Sequence, residues 1–325
     1  MIALQYAHFG EPADVIAPTE IPKPEPAAGM ARLKLVRSPI HNHDVMMVRG
    51  LYGVKPPLPA VAGSEMLGIV DEVGDGVAHL KGGQRVATMA TGAWAEYVIV
   101  PANGCIPIPD GLADEVACQL LAMPLSALVL LDELRVESGA WIVQNAAGGA
   151  VGKTVFTVAQ SRGINIINLV RHESAADEVR ALGAKHVVVT DEVRWPQRVR
   201  EIAGKEPIAR VVDSVCDDTS LPLQRLLGKF GEYVIFGALG AAPLRLDPGT
   251  FIFNEITARG FWMTAWMARA TGARRNAALD SVLALARDGK LPLPVAGVHP
   301  LSEAKSAIEE AQRPGRRGKV LFAGP

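Results

Sequence analysis

Residues 141–163 read WIVQNAAGGAVGKTVFTVAQSRG, and the order of residue types in this stretch decides the fold. Trp141 to Gln144 has the apolar character of a short buried strand. The strand runs into Gly148, Gly149, Ala150, Val151 and Gly152, and a helix is expected from near Val151, with Val151, Val155, Val158 and Ala159 at three- and four-residue spacing. Small residues at such a turn let the backbone approach a pyrophosphate, and the first turn of the helix offers unpaired N–H groups at the positive end of its dipole. An anionic dinucleotide belongs there. Glycines at strand-to-helix turns are common for structural reasons, so the βαβ setting gives this turn its meaning.

Working outward, INIINLV (164–170), HVVVT (186–190), ARVVDSV (209–215) and GEYVIFG (231–237) are further apolar runs separated by helical patterns. Repeated βαβ with near-continuous apolar strands predicts a doubly wound parallel sheet covered on both faces. Before about residue 110 the texture differs. Pro and Gly punctuate the chain (IPKPEP, VKPPLP, VGDGV, KGGQRV, IPIPDG) between short β-type runs such as Ala31–Val36, Leu67–Val73 and Tyr97–Val100, which predicts a β-rich domain with long loops. A helical stretch, DEVACQLLAMPLSALVLLDEL, starts at Asp114. After residue 263, helices over Asn276–Asp288 and Ser302–Gln312 and a closing strand KVLFA form too small a piece for its own core, so this tail is expected to return to the first domain. The reading is an α/β chain in which residues 1–117 and 264–325 form the β-rich domain and 118–263 the nucleotide-binding domain.

The 33 Lys and Arg residues against 34 Asp and Glu leave a net charge of −1, which gives no field for capturing nucleic acid or an anionic membrane. With 49% apolar and 21% charged residues the composition is that of a folded enzyme and not of a disordered chain. Cys105, Cys118 and Cys216 show no paired CxxC spacing, which argues against a disulfide framework or zinc lobe and for a reducing compartment. The N-terminal MIALQYAHFGEPADVI carries Glu11 and Asp14 where a signal peptide needs an apolar core, and the apolar run Ala117–Leu131 is short and interrupted by proline. A cytoplasmic protein without membrane contact is expected.

The strand INIINLV leads to Arg171-His172-Glu173, where an NAD site places an acidic residue against the ribose diol. A guanidinium pairs bidentately with phosphate and stacks on adenine, so Arg171 favours NADPH. Two alternatives stay open: Arg171 as a solvated strand-end residue, and Glu173 as a ribose ligand.

On RGLYGVKPPLPAVAGSEMLGIV, WIVQNAAGGAVG, INLVRHE, YVIFGAL, ARGFWMTAW and GKVLF, the chain resembles the medium-chain dehydrogenase/reductase superfamily over essentially its full length. Within it, the chain is similar to the zinc-independent trans-2-enoyl thioester reductases, which are related to NADPH quinone oxidoreductases. The resemblance implies a Rossmann domain with a GroES-like catalytic domain. The superfamily's zinc alcohol dehydrogenases hold their metal with a Cys, the His of a GHE motif and a third Cys or His; the matching positions are His41, Ser64 and Ala122, and the four-cysteine lobe is missing. No metal is expected, although His41, His43, Asp44 and Glu65 stand as an ad hoc alternative set.

The resemblance puts the catalytic tyrosine of enoyl reductases at Tyr52. Hydride delivered to Cβ of an activated alkene leaves an enolate whose Cα needs a proton, and a phenol is protonated at neutral pH. Tyr52 either donates that proton or orients the carbonyl; its bland reading is an aromatic packed in a loop. The resemblance also carries Gly148, Gly149, Ala150 and Val151 to the pyrophosphate and Arg171 and His172 to the 2′-phosphate. Phe236 and Gly237 fall at the strand end facing the cofactor, Phe261 and Trp262 near the nicotinamide, and Lys319 where it closes the site. The three aromatics would be core residues in any case, and Lys319 could belong to a solvated basic run. The family's Asn before the domain-linking Pro is Met123 here, which removes one cofactor hydrogen bond.

ARGFWMTAW reads as the last strand of the cofactor sheet, an exposed apolar edge that invites aggregation if left unpaired; the resemblance implies a homodimer built by joining these edges. Arg269, Arg274, Arg275, Arg313, Arg316, Arg317 and Lys319 are either wet surface or an attractor for the phosphates of coenzyme A or for an acyl carrier protein. The expected function is NADPH-dependent reduction of an enoyl thioester. The rivals are a quinone or enone oxidoreductase on the same fold and a non-catalytic NADPH-binding protein.

Overall fold

The computed structural model describes residues 1–240 and 243–325. The chain divides into two compact units: residues 1–122 with 286–289 and 293–325, and residues 123–285 with 290–292.

Unit 1 is built on a seven-stranded sheet in which Met30–Pro39 is central, pairing antiparallel with Glu65–Val73, Tyr97–Pro101 and Lys319–Ala323. Val295–Pro300 lies outside Lys319–Ala323, so the C-terminal tail does return to the first unit, as its small size requires. A smaller sheet joins Ala17–Glu20, Ile2–Tyr6 and Ala60–Val61. The core draws on Leu33, Leu35, Met66, Trp94 and Phe322, with the Trp94 and Phe322 rings edge to face at 5.1 Å.

In unit 2 we label the strands β1 (Trp141–Gln144), β2 (Asn165–Val170), β3 (Val187–Val189), β4 (Ile208–Asp213), β5 (Leu227–Ile235) and β6 (Thr257–Gly260). They form one parallel sheet in the order β3-β2-β1-β4-β5-β6, the doubly wound arrangement that the βαβ pattern predicts. Val143, Ile167, Leu169, Val211 and Tyr233 are buried in its core. Helix α1 (Ala150–Ser161) leaves β1 across the glycine turn.

Three expectations change. The stretch from Asp114 is two helices, Asp114–Ala117 and Met123–Leu134, and the break contains the end of unit 1's N-terminal segment. ARGFWMTAW is not a continuous strand: β6 stops at Gly260 and Met263–Arg269 is helical, with Trp262 and Trp266 one turn apart and the Trp266 N–H donating to the Trp262 carbonyl at 3.0 Å. The helix before the C-terminal tail starts at Gly272, and unit 2 extends through residue 285. No helix among the described residues is long and apolar enough to cross a membrane.

Candidate active site

In unit 2 the geometry is that of an anion cradle. Gly149 is the N-cap of α1 and provides no side-chain cap, so the N–H groups of the first turn face outward unpaired by side chains. Gly152 is fixed by packing: a Cβ there would lie 2.6 Å from the Ala147 Cα, so only glycine lets α1 rise this close to the strand. Gln144 fastens the same turn, its Nε2 donating to the Gly152 carbonyl at 2.8 Å and to Asn168 Oδ1 at 2.7 Å. Gly148, Ala150 and Val151 remain partly accessible and Gly149 is exposed.

At the end of β2 the three candidate residues separate. Glu173 is paired with Arg180, and His172 Nδ1 lies 2.7 Å from Asp191 Oδ2. The exposed Arg171 guanidinium makes no hydrogen bond or ion pair among the described residues, which leaves it able to receive a phosphate. Glu173 as a ribose ligand would first have to give up Arg180.

The carboxyl ends of β1 and β4 are tied by a knot of residues that sequence reasoning missed. Asp213 is fully buried; its Oδ1 accepts from Asn145 Nδ2 (2.6 Å) and from the N–H groups of Val215 and Cys216 (2.9 Å each). Its Oδ2 accepts from Ser220 Oγ at 2.6 Å and from the Tyr233 hydroxyl. Burial pushes this carboxyl up, but the bonds from Ser220, Tyr233, Cys216 and Asn145 outweigh it and hold Asp213 below the usual range. The knot sets the backbone at the strand-order reversal, where dinucleotides bind doubly wound sheets. An Asp closing ARVVD was the available signal. Beside it, the Phe236 and Gly237 N–H groups bond to the Asp213 carbonyl, and Phe236 stacks on buried Phe261 at 5.9 Å. Trp262 is 44% exposed, unlike its buried neighbour, and so is the more accessible of the two aromatics.

In unit 1 the candidate residues gather around the start of helix Asn42–Val48. His41 Nε2 lies 2.7 Å from Glu65 Oε2, both side chains fully buried, and Glu65 Oε1 accepts from the N–H groups of Leu121 (2.5 Å) and Ala122 (3.1 Å). Burial raises the Glu65 carboxyl to about 8 against those two N–H donors, and burial together with Lys319 and His43 keeps His41 well below its ordinary value. Both shifts favour the uncharged form of each partner. Lys319 is not part of a wet basic run: its Nζ lies 3.4 Å from the Ile40 carbonyl, and burial, then Arg316, lowers it to about 8.

In front of this buried pair, His43 Nε2 lies 2.5 Å from Ser64 Oγ and 3.6 Å from Asp44 Oδ1, its ring stacked on His41 at 4.9 Å and 5.9 Å from the Tyr52 ring. Gly63 fixes Ser64 in place: its φ is +94°, and a Cβ would lie 2.4 Å from Trp94. Tyr52, His43 and Ser64 are each half-buried and so reachable, whereas His41 and Glu65 are not.

A catalytic zinc does not fit the donor set. Of the three matching positions Ala122 has no ligand atom, His41 is locked to Glu65, and the Ser64 hydroxyl is bonded to His43. Among the described residues no group of three His, Cys, Asp or Glu side chains is disposed to hold a metal. A dinucleotide does fit: the α1 cradle, with the first-turn N–H groups uncapped by a side chain and Gly149 exposed, and the unpaired Arg171 match a phosphorylated nicotinamide cofactor.

The basic run divides. Arg274 and Arg269 converge on Glu133, with Arg274 at 2.8 Å and Arg269 at 3.7 Å, and Arg274 also covers Trp266. Arg316 donates to the Ala311 carbonyl, and burial lowers its pKa. Because Arg269, Arg274 and Arg275 lie in unit 2 and Arg313, Arg316, Arg317 and Lys319 in unit 1, they do not constitute one patch within either unit.

Comparison with known proteins agrees with this geometry. Residues 27–110 match the alcohol dehydrogenase GroES-like domain and residues 150–279 the zinc-binding dehydrogenase domain. The chain is 30% identical to the bovine mitochondrial enoyl-[acyl-carrier-protein] reductase, covering 98% of this chain and 88% of that one, and 29% identical to the human protein over the same shares. The mitochondrial enoyl-[acyl-carrier-protein] reductase of Arabidopsis thaliana is 30% identical, covering 98% of this chain and 87% of that one. Among solved structures, Escherichia coli quinone oxidoreductase complexed with NADPH superposes with a TM-score of 0.91 at 25% identity, covering 99% of this chain and all (100%) of that one. A mycobacterial protein complexed with NADPH gives 0.89 at 26%, over 99% of this chain and 100% of that one. The chain belongs to the medium-chain dehydrogenase/reductase superfamily, in the enoyl-reductase group related to the quinone oxidoreductases.

Proposed function

We propose that this enzyme reduces the carbon–carbon double bond of an α,β-unsaturated thioester, a trans-2-enoyl group on coenzyme A or on an acyl carrier protein, using NADPH. One observation carries the reading. Where zinc members of the superfamily have ligands, this chain has His41 locked to Glu65 and Ser64 bonded to His43, and the ring of Tyr52 lies 5.9 Å from that of His43. A reductase so built must polarise and protonate its substrate with side chains, and the reachable phenol is suited to that task.

The bound cofactor supplies a hydride. In this reading the Gly148–Gly152 backbone and the α1 N-terminus hold its pyrophosphate, and Arg171 takes the 2′-phosphate. His172 assists less, because Asp191 already offsets its attraction for an anion. In unit 2 Phe236, Gly237, Phe261 and Trp262 form the nicotinamide wall, and in unit 1 Lys319 adds its charge beside His41. Tyr52 gives its proton to Cα, or holds the carbonyl while the enolate develops. Unit 1 is then the catalytic domain and unit 2 the nucleotide-binding domain. The exposed β6 edge suits a homodimer, and the three free, buried cysteines suit the cytoplasm.

The related quinone oxidoreductases keep a second reading in play, supported by their fold-level similarity. Initial rates with crotonyl-CoA, longer enoyl-CoA esters and a benzoquinone separate the two. The proposal expects turnover of the enoyl esters with NADPH preferred over NADH. Rapid quinone reduction with inert enoyl esters would replace it with the second reading.

A further inference from the structure

If Tyr52 protonates the substrate, it is left as a phenolate after every turnover and must recover a proton before the next. The buried groups of unit 1 do not serve this need: His41 and Glu65 have no exposed side-chain surface and so no direct path for a proton from water. The ring of His43, beside that of Tyr52, is reachable. His43 is 19% exposed at its side chain, which separates it from fully buried His41; it stacks on His41 and tilts 35° to the Tyr52 ring with centroids 5.9 Å apart. Its Nε2 is held by Ser64 Oγ at 2.5 Å, and Ser64 itself is partly accessible.

We propose that His43 and Ser64 form the relay that returns a proton from bulk water to the Tyr52 phenolate, a role that rests on the reductase reading above. A neutral imidazole is suited to this because one nitrogen gives a proton while the other takes one. When Nε2 accepts from the Ser64 hydroxyl, the ring proton resides on Nδ1. The Nδ1–H bond breaks as the phenolate O–H bond forms; Nε2 takes the Ser64 proton; Ser64 Oγ recovers one from water or a buffer acid. The sum is one solvent proton moved to Tyr52, with no electron transferred, and it completes the uptake of one hydride and one proton by the alkene. Burial favours this neutral state by lowering the His43 pKa; of the charged groups facing it, Asp44 opposes and Lys319 reinforces the shift. His43 acts through Tyr52 and not on substrate, and is therefore a positioning and relay residue.

The test separates the first turnover from later ones. A full complement of NADPH-loaded enzyme is mixed with crotonyl-CoA in a stopped-flow cell, and NADPH absorbance is followed for wild type, His43→Gln, His43→Ala and Ser64→Ala. Gln keeps the size and the hydrogen bond to Ser64 but cannot pass a proton through, so it guards against a folding defect in the Ala variant. We expect His43→Gln to complete its first turnover within about threefold of wild type. Its steady-state rate should fall at least tenfold with an enlarged solvent deuterium effect, and added imidazole should restore His43→Ala. Equal losses in the first and later turnovers, or an unchanged steady state, would overturn the relay. A wild type that does not reduce crotonyl-CoA at all, or a Tyr52→Phe variant that reduces it normally, would instead overturn the reductase reading on which the relay stands.

Discussion

Arg171 and Glu65 show how single side chains carry the functional argument, one by being unpaired and the other by being enclosed. The Arg171 guanidinium has no side-chain partner among the described residues, and a charge-assisted bidentate phosphate contact contributes about 1.5–3 kcal/mol. Arg171→Ala should therefore raise the NADPH dissociation constant by roughly 10- to 100-fold while leaving NADH binding nearly unchanged, as titration of cofactor fluorescence would show. Glu65 gives a pH prediction. Its folded pKa, near 8, lies above the ordinary carboxylate value of 4.5, so between those limits the folded state binds more protons than the unfolded chain and stability falls as pH rises. His41 and His43, both depressed, have the opposite slope below about pH 6.5. Comparison with Glu65→Gln isolates the carboxyl: the variant should gain stability relative to wild type, on the order of a few kcal/mol, between pH 5 and pH 8. Urea titrations at both values check this, and a constant difference across the range would contradict it. The residues of the βαβ turn were legible because their chemistry is local. Glu65 was read only as an alternative metal ligand; its burial against His41 was not legible, since the N–H groups that donate to it belong to Leu121 and Ala122, more than fifty positions away.

At the scale of elements, the β1-turn-α1 unit is tightly constrained. Adding a methyl at Gly152 would drive its Cβ onto the Ala147 backbone, which cannot move aside as a flexible side chain does. Gly152→Ala should cost about 2 kcal/mol or more by denaturant unfolding and weaken NADPH binding, because helix and cradle shift together. A Gly152→Ala protein of wild-type stability and affinity would show that the turn has slack. The β6 edge is a different case. Its sequence pattern mixes periods: Phe261, Trp262, Met263 and Trp266 suit an apolar strand and one face of a helix equally, and the chain resolves this by ending the strand at Gly260. The exposed edge is consequently Thr-Ala-Arg-Gly, with Arg259 held by Glu232 at 2.6 Å. If two copies join there, Thr257→Lys should shift sedimentation from dimer towards monomer by placing like charges at the junction. A monomeric wild type would remove the proposal.

At the scale of the whole molecule, the two textures of the sequence, Pro- and Gly-punctuated first and βαβ afterwards, correspond to two units of different architecture. The return of the C-terminal tail was legible because KVLFA has no core of its own, and Phe322 does fill the core beside Trp94. The crossing back to unit 1 was not legible: helix Gly272–Arg287 has the same period wherever it packs, so residues 264–285 give no sequence sign of belonging to unit 2. NADPH at about a hundredfold its dissociation constant should stabilise the fold that binds it by about 2.7 kcal/mol. Hydrogen exchange should show that protection at residues 145–152, 171 and 213–216, with little at the surface of the unit 1 sheet. The central claim, that a phenol serves an NADPH-dependent alkene reduction in a site unfit for zinc, is tested most directly by one comparison. Crotonyl-CoA reduction and NADPH affinity are measured together for wild type and Tyr52→Phe. The account predicts that the variant binds NADPH as wild type does but loses roughly 10²–10⁴-fold in the rate of enoyl reduction; undiminished reduction by Tyr52→Phe would contradict it.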